Sequence, residues 1–204
     1  MAEETPDPDA EHRAKMARIK AAKDRLYATK TGEKGLLIVH TGTGKGKSTA
    51  AWGLAMRCLG HGLKLGVIQF VKGRSTPGER LFLDRFPELV TVKVMGQGFT
   101  WETQDRAQDI AAARAAFEEA KRMLHDPELH LVILDELNIV LRYDTLPLAE
   151  VLAALASKRP ELHVVVTGRN AKPELIAAAD LVTEMKLVKH PFRQGIKGQL
   201  GIEF

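Results

Sequence analysis

An internal disulfide is excluded by arithmetic, because Cys58 is the single cysteine of the chain. That usage fits a reducing, cytoplasmic compartment. Cys58 falls in Leu54-Ala-Met-Arg-Cys-Leu59, where a packed structural thiol is expected rather than a reactive one. Long apolar runs are missing too. The longest, such as Leu131-Val-Ile-Leu134, are strand-sized, so no membrane span is expected. The opening residues, Met-Ala-Glu-Glu-Thr-Pro-Asp-Pro-Asp, are acidic and carry no apolar stretch, so no signal peptide is expected. No internal repeat or linker interrupts residues 35–204. Aromatics make up only 5%, which lends weight to any place where two sit together. Neither sign of charge dominates: 30 Lys and Arg against 26 Asp and Glu leave a net +4. So small an excess suits an anionic small ligand as well as a nucleic acid, and it does not choose between them.

What is present is a chain of 204 residues, 45% hydrophobic and 27% charged, long enough for one substantial core. Strand-sized apolar segments fall at 36–39, 63–71, 90–95, 129–136, 163–169 and 181–188. Helical patterns lie between them, after residue 47 and near 81–86, 105–124, 146–156 and 173–179. Such alternation predicts an α/β fold: a mostly parallel six-stranded sheet with helices on both faces and right-handed crossovers. Residues 1–11, rich in prolines and acids, read as disordered. From about 11 to 27 a helix carries a sparse stripe, Met16, Ile19, Leu26 and Tyr27, among Lys and Arg. Such a helix either packs loosely on its own domain or reaches to a partner subunit or over a ligand. The predicted organisation is a tail and helix over 1–34 and one domain over 35–204.

The chain is organised around Gly35-Leu-Leu-Ile-Val-His-Thr-Gly-Thr-Gly-Lys-Gly-Lys-Ser-Thr-Ala-Ala51. An apolar strand runs into a glycine-lysine turn and then into a helix, the sequence of a phosphate-binding P-loop. Glycines allow backbone N–H groups to turn around an anion, and the helix N-terminus adds partial positive charge. Lys47 supplies a full charge, and the Ser48 hydroxyl stands where Mg²⁺ is ligated. The usual spacing requires glycine at position 41, which is Thr41. The first glycine is Gly42, so the loop is one residue short, and it carries an extra lysine, Lys45.

Leu131-Val-Ile-Leu-Asp-Glu136 has the pattern of a Walker B strand, with carboxylates at the end where parallel sheets bind ligands. Asp135 or Glu136 would meet the metal held by Ser48. Tandem acids also suit an ATPase of the recombinase or helicase type, with Glu136 polarising a water. Thr167-Gly-Arg169 ends strand five as a sensor, an anion contact or a simple terminus. Gly98-Phe-Thr-Trp101 places two scarce aromatics in a glycine-flanked loop on the ligand side, which points to a planar or apolar ligand. Trp52, in the P-loop helix, reads as packing.

Taken together, Thr41-Gly-Thr-Gly-Lys-Gly-Lys-Ser-Thr49, Val67-Ile-Gln-Phe-Val-Lys-Gly73, Gly98-Phe-Thr-Trp-Glu-Thr103, Val132-Ile-Leu-Asp-Glu-Leu137, Val166-Thr-Gly-Arg169 and Val188-Lys-His-Pro-Phe192 resemble the ATP:corrinoid adenosyltransferases. The resemblance runs from about residue 11 to 204, and the short loop with its extra lysine is part of it. It implies a P-loop NTPase (RecA-like) architecture. It also implies transfer of the 5′-deoxyadenosyl group of ATP to the Co(I) of a corrinoid, with triphosphate leaving, and ATP bound reversed relative to ordinary P-loop enzymes. By that likeness Gly42, Thr43, Gly44, Lys45, Gly46, Lys47, Ser48 and Thr49 hold the triphosphate, and Ser48 and Glu136 ligate Mg²⁺. Arg57 and Arg169 lie near the nucleotide. Phe99 and Trp101 form a wedge under the corrin ring that removes its lower ligand, so that Co(II) is easier to reduce. The implied partners are a second copy of the chain, with the N-terminal helix over its active site, and an electron-donating flavoprotein or reductase. Neither nucleic acid nor membrane is implied. A corrinoid carrier or nucleotide-binding regulator is the non-enzymatic alternative.

Overall fold

Apolar residues at every second position of the central strands build two cores, one on each face of a single sheet. The computed structural model describes residues 8–71, 76–95 and 105–203. Its strands are β1 (Leu37–Thr41), β2 (Leu65–Gln69), β3 (Val90–Val94), β4 (Leu131–Asp135), β5 (His163–Thr167) and β6 (Leu181–Glu184). They lie in the order β3-β2-β4-β5-β1-β6, and every pair is parallel. One strand, β5, therefore separates the P-loop strand from the Walker B strand. This is the six-stranded P-loop architecture that the sequence predicts.

Period two divides the side chains cleanly. Leu37, Val39, Val132, Leu134, Val164 and Val166 point to one face, where they meet Phe117, Ala120 and Leu124. These last three belong to the longest helix of the domain, α4 (Arg106–His125), which follows α1 (Pro8–Ala28), α2 (Lys47–Gly60) and α3 (Gly78–Leu83) along the chain. The same face receives α5 (Leu137–Arg142), α6 (Leu148–Ala156) and α7 (Pro173–Ala178) through Leu141, Leu155 and Leu175. Ile38, Val67, Ile133 and Val165 point the other way, against Ala51, Trp52 and Ala55 of α2 and Leu83 of α3. Helices thus cover both faces, and Trp52 is a packing residue, only 3% exposed. Cys58 is half-buried, and that burial pushes its thiol up in spite of Arg57 beside it. It has the character of an inert thiol.

Polar contacts fix where β1 begins and thereby where the P-loop sits. Asp180 accepts from the Leu37 N–H at 2.9 Å and pairs with Lys34, and His163 Nδ1 accepts from the Leu36 N–H at 3.1 Å. Asp105 caps α4 by accepting from the N–H groups of Ala107 and Gln108, where the sequence predicts that helix to start.

Most element boundaries shift by a residue or more from the prediction, and three differences bear on the site. β5 stops at Thr167 rather than 169, because Gly168 takes a φ of 124°. β6 stops at Glu184 rather than 188, because Met185 turns onto the P-loop. Helix α5 directly follows the Walker B acids and is absent from the sequence prediction. The chain forms two compact units, residues 1–33 and 34–204. The first is described from residue 8 as the 21-residue helix α1, so residues 8–11 are helical rather than disordered, and the predicted disorder of 1–7 lies outside the described residues. Met16, Ile19, Leu26 and Tyr27 of α1 are all exposed. Among the described residues no helix is long and apolar enough to cross a membrane.

Candidate active site

The loop between β1 and α2 closes on Lys47. This residue is only 7% exposed, and its ammonium donates to the carbonyl of Gly44 at 2.5 Å. Burial lowers its pKa, Glu136 opposes that shift, and Arg169 and Lys45 add to it. A buried cation in a glycine loop at a helix N-terminus is an arrangement that favours an anion. The carbonyl of Lys47 accepts from Nδ1 of His40 at 3.2 Å, and burial lowers the pKa of that ring in spite of the bond. Gly42 has a φ of 96°, and a Cβ there would lie 2.5 Å from the Met185 carbonyl oxygen. Only glycine fits. The N–H of Gly44 donates to that same carbonyl at 2.6 Å, so the chain leaving β6 forms one wall of the loop. Thr43, Lys45 and Thr49 are exposed, Gly46 and Ser48 half-buried, and Lys45 is paired with Glu203.

Opposite the loop stands the Walker B pair, and the two acids do different things. Asp135, the last residue of β4, accepts from the Ser48 hydroxyl at 2.8 Å and from the Thr167 hydroxyl at 2.7 Å. Gln69 reaches its other oxygen at 3.4 Å. Glu136 leaves the strand with φ 61°, its N–H donating to Thr167 Oγ1 at 2.9 Å. One of its oxygens, Oε2, is buried without a hydrogen-bond partner, as is Oδ1 of Asn138. Both residues border Gly168, where an added Cβ would meet Asn138 Cβ at 2.9 Å and Glu136 Oε2 at 3.0 Å. Burial first, then the neighbouring Asp135, pushes Glu136 up to about 7, against the pull of Lys47 and Arg169.

These donors suit a hard cation. A hydroxyl, a carboxylate hydrogen-bonded to it and an orphaned carboxylate oxygen are the ligand types Mg²⁺ takes, with a phosphate and water completing the set. Among the described residues no group of three His, Cys, Asp or Glu side chains forms a metal site of its own. The predicted ligands were Ser48 and Glu136. The side chain that Ser48 touches is Asp135.

Not every expected residue is brought here. Arg169 is exposed at the tip of β5, and its charge is felt by both Lys47 and Glu136. Arg57 is remote: ten residues along α2 place it roughly 15 Å from Lys47. It lines an apolar pocket of about 290 Å³ with Leu36, Ile38 and His163, among others, at the amino ends of the strands. Phe99 and Trp101 lie outside the described residues. Thr167, Gln69, His40 and Asn138 are additions. The Thr167-Gly-Arg169 strand tip signalled the first; Gln69 and His40 lie inside motifs quoted above without a role of their own, and Asn138 lies outside every motif.

A buried lysine in a glycine loop, a helix N-terminus behind it and a Walker B aspartate bonded to the loop serine define a P-loop nucleotide-binding protein. The comparisons narrow this. Residues 33–204 match the family described as ATP:corrinoid adenosyltransferase BtuR/CobO/CobP. The corrinoid adenosyltransferase of Pseudomonas aeruginosa is 54% identical over 201 residues, covering 98% of this chain and 99% of that one. That of a Sinorhizobium species is 54% identical over 198 residues, covering 96% and 92%. That of Escherichia coli K12 is 45% identical over 196 residues, covering 96% and 99%. The chain belongs to the ATP:corrinoid adenosyltransferase family.

Proposed function

We propose that the protein transfers the 5′-deoxyadenosyl group of ATP to the cobalt of a corrinoid and releases triphosphate, in the cytoplasm. The observation that carries this reading, beside the family, is the buried Lys47 inside a loop shaped for phosphates. Co(I) attacks the 5′-carbon, a Co–C bond forms, and the C5′–O bond breaks with its electron pair leaving on the triphosphate. Cobalt ends as Co(III). Charge develops on the departing oxygen, so the catalytic demand on the protein is to hold anionic charge that grows at the ribose end of the triphosphate. Binding ATP in the reverse of the usual sense meets that demand. The backbone from Gly42 to Gly46, Lys45, Lys47 and Thr49 would embrace the triphosphate, with Arg169 at the rim. Ser48, Asp135 and Glu136 would hold Mg²⁺, which supplies charge neutralisation to the phosphates.

Phe99 and Trp101 would form the wedge beneath the corrin that removes the lower cobalt ligand. That ligand loss lets a reduced flavoprotein or another one-electron donor carry Co(II) to Co(I). In Trp101→Ala, turnover from Co(II) should fall far more than turnover from corrinoid already reduced to Co(I). Equal losses in the two assays would remove the wedge role.

A homodimer, with α1 laid over the partner's active site, is the assembly we favour. Alone, a helix with so few apolar side chains has little to stabilise it in water.

The function test is product identity. Protein, ATP, Mg²⁺ and reduced corrinoid should give triphosphate and a light-sensitive adenosylcorrinoid in equal amounts. ADP and phosphate, formed at the same rate without corrinoid, would mean an ATPase instead.

A further inference from the structure

The apolar pocket beside Arg57 lies at the amino ends of the strands, the opposite end of the sheet from the phosphate loop. Leu36, Ile38 and Leu131 line it from the starts of β1 and β4, and Leu54 and Cys58 line it from α2. Leu36 and Leu54 are half-buried, so part of this apolar wall stays open to solvent. At about 290 Å³ the pocket has room for roughly ten non-hydrogen atoms, counting about 30 Å³ for each water-sized group. Beside the Cys58 thiol, its ionisable groups are all bases: Arg57, His61, His130 and His163. Among the described residues no carboxylate lines it, and the side chains of Arg57, His61 and His130 have no ion pair or hydrogen bond. Acids on nearby turns are already engaged. Asp180 pairs with Lys34 and accepts from the Leu37 N–H, and Glu128 pairs with Lys64 at 2.7 Å. His163 accepts from the Leu36 N–H through Nδ1, which leaves Nε2 as its donor. Burial lowers the pKa of that ring, and the charges of His130 and Lys158 lower it further. An apolar cavity with a basic rim and no acid of its own is complementary to a small ligand with an apolar body and one anionic head.

We propose that this pocket is a second ligand site of the domain, for a small carboxylate with an apolar tail. Arg57 takes the head, because a guanidinium offers paired N–H donors that match the two oxygens of a carboxylate. The tail lies against Leu36, Leu54 and Leu131. The pocket is too small for a nucleoside triphosphate or a corrin, so its occupant is a different molecule from those of the active site. Bound there, the ligand joins the last turn of α2 to the start of β1, the two elements that the phosphate loop connects at their far ends.

Isothermal titration of the full chain with octanoate, 1-octanol and octylammonium tests this without turnover. Octanoate should bind with a Kd on the order of 10⁻⁴ M, ordinary for so small a ligand. It should bind about tenfold more tightly than 1-octanol, and octylammonium should not bind. In Arg57→Gln the affinity for octanoate should fall to that for 1-octanol, while Arg57→Lys should retain part of the preference. Binding of the alcohol itself reports an intact pocket in both variants. Cys58 gives the location, because alkylation of this single cysteine by iodoacetamide reads the pocket alone. Octanoate at about ten times its Kd leaves roughly a tenth of the pockets empty and should slow that alkylation about tenfold. Saturating ATP and Mg²⁺ should leave the octanoate Kd within about twofold, as two separate sites require. Equal binding of octanoate and 1-octanol, a preference that survives Arg57→Gln, or an unprotected Cys58 would overturn the proposal. So would displacement of octanoate by ATP, since the anion would then sit in the phosphate loop. A Kd that weakens as protein concentration rises would overturn it too, by showing that a second copy of the chain fills the pocket.

Discussion

Lys47→Ala is expected to lower adenosyl transfer by about 10²–10³-fold, the loss seen when one aimed electrostatic contact is removed from a developing anion. The ammonium is buried, tied to the Gly44 carbonyl and held close enough to Glu136 and Arg169 to feel both charges. Its charge is therefore already placed before the leaving group appears, and water cannot substitute for it. Folding should suffer little. Burial lowers the pKa of Lys47, so the folded protein gives up solvation to keep this cation charged, and alanine relieves that cost. The measurements are the initial rate with prereduced corrinoid and a thermal melt by circular dichroism. A rate within threefold of wild type, at an unchanged melting temperature, would remove the triphosphate role from Lys47.

The largest expected effect on stability comes from Gly42→Ala. Two costs coincide at this position. The φ of 96° is strained for any residue with a Cβ, at about 1–3 kcal/mol. The new methyl would also stand 2.5 Å from the Met185 carbonyl oxygen and 2.8 Å from its nitrogen, both rigid backbone atoms. Overpacking of that kind costs about 1–3 kcal/mol more. At roughly 2–4 °C per kcal/mol for a domain of this size, the melting temperature should drop by about 5–15 °C. Activity should drop with it, because the strand-to-loop contact through Met185 also holds Gly44. Gly53→Ala is the control. Gly53 lies within α2 with nothing in contact range of an added Cβ, so alanine there should be neutral or stabilise by up to ~1 kcal/mol. A Gly42→Ala protein that melts like wild type would show that the loop reorganises freely around Met185.

Much of this geometry was legible in the chain. Apolar quartets such as Leu131–Leu134, spaced between helical patterns, read as strands buried on both faces, and the glycine-lysine loop follows one such run. The obscure parts share a cause. Helix α5 begins at Leu137, directly after a glutamate in left-handed backbone, and six residues of mixed apolar pattern do not distinguish a short helix from a strand end. Which acid meets Ser48 depends on strand parity. Asp135 is still in register, opposite Gln69 on β2, while Glu136 has already turned away. Adjacent carboxylates look alike in sequence, and only the backbone separates their tasks. Arg57 went the other way. Helix rise alone places it far from Lys47, and the family likeness drew it toward the nucleotide against that simple distance.

The strand order has a consequence for how the protein is made. β1 lies between β5 and β6, so Val39 pairs with Val166 on one side and Val182 on the other. The phosphate loop is specified early in the chain and completed late. Until residues near 167 have emerged from the ribosome, Leu37–Thr41 has neither of its neighbours, and until those near 185 follow it lacks the second and Gly44 has no carbonyl to lean on. Nascent chains that stop before β5 would present β1 as an unpaired apolar edge, the kind of surface that chaperones hold and that aggregates otherwise. Acquisition of a working nucleotide site should therefore wait for β6 and Met185, well after the loop itself has been made.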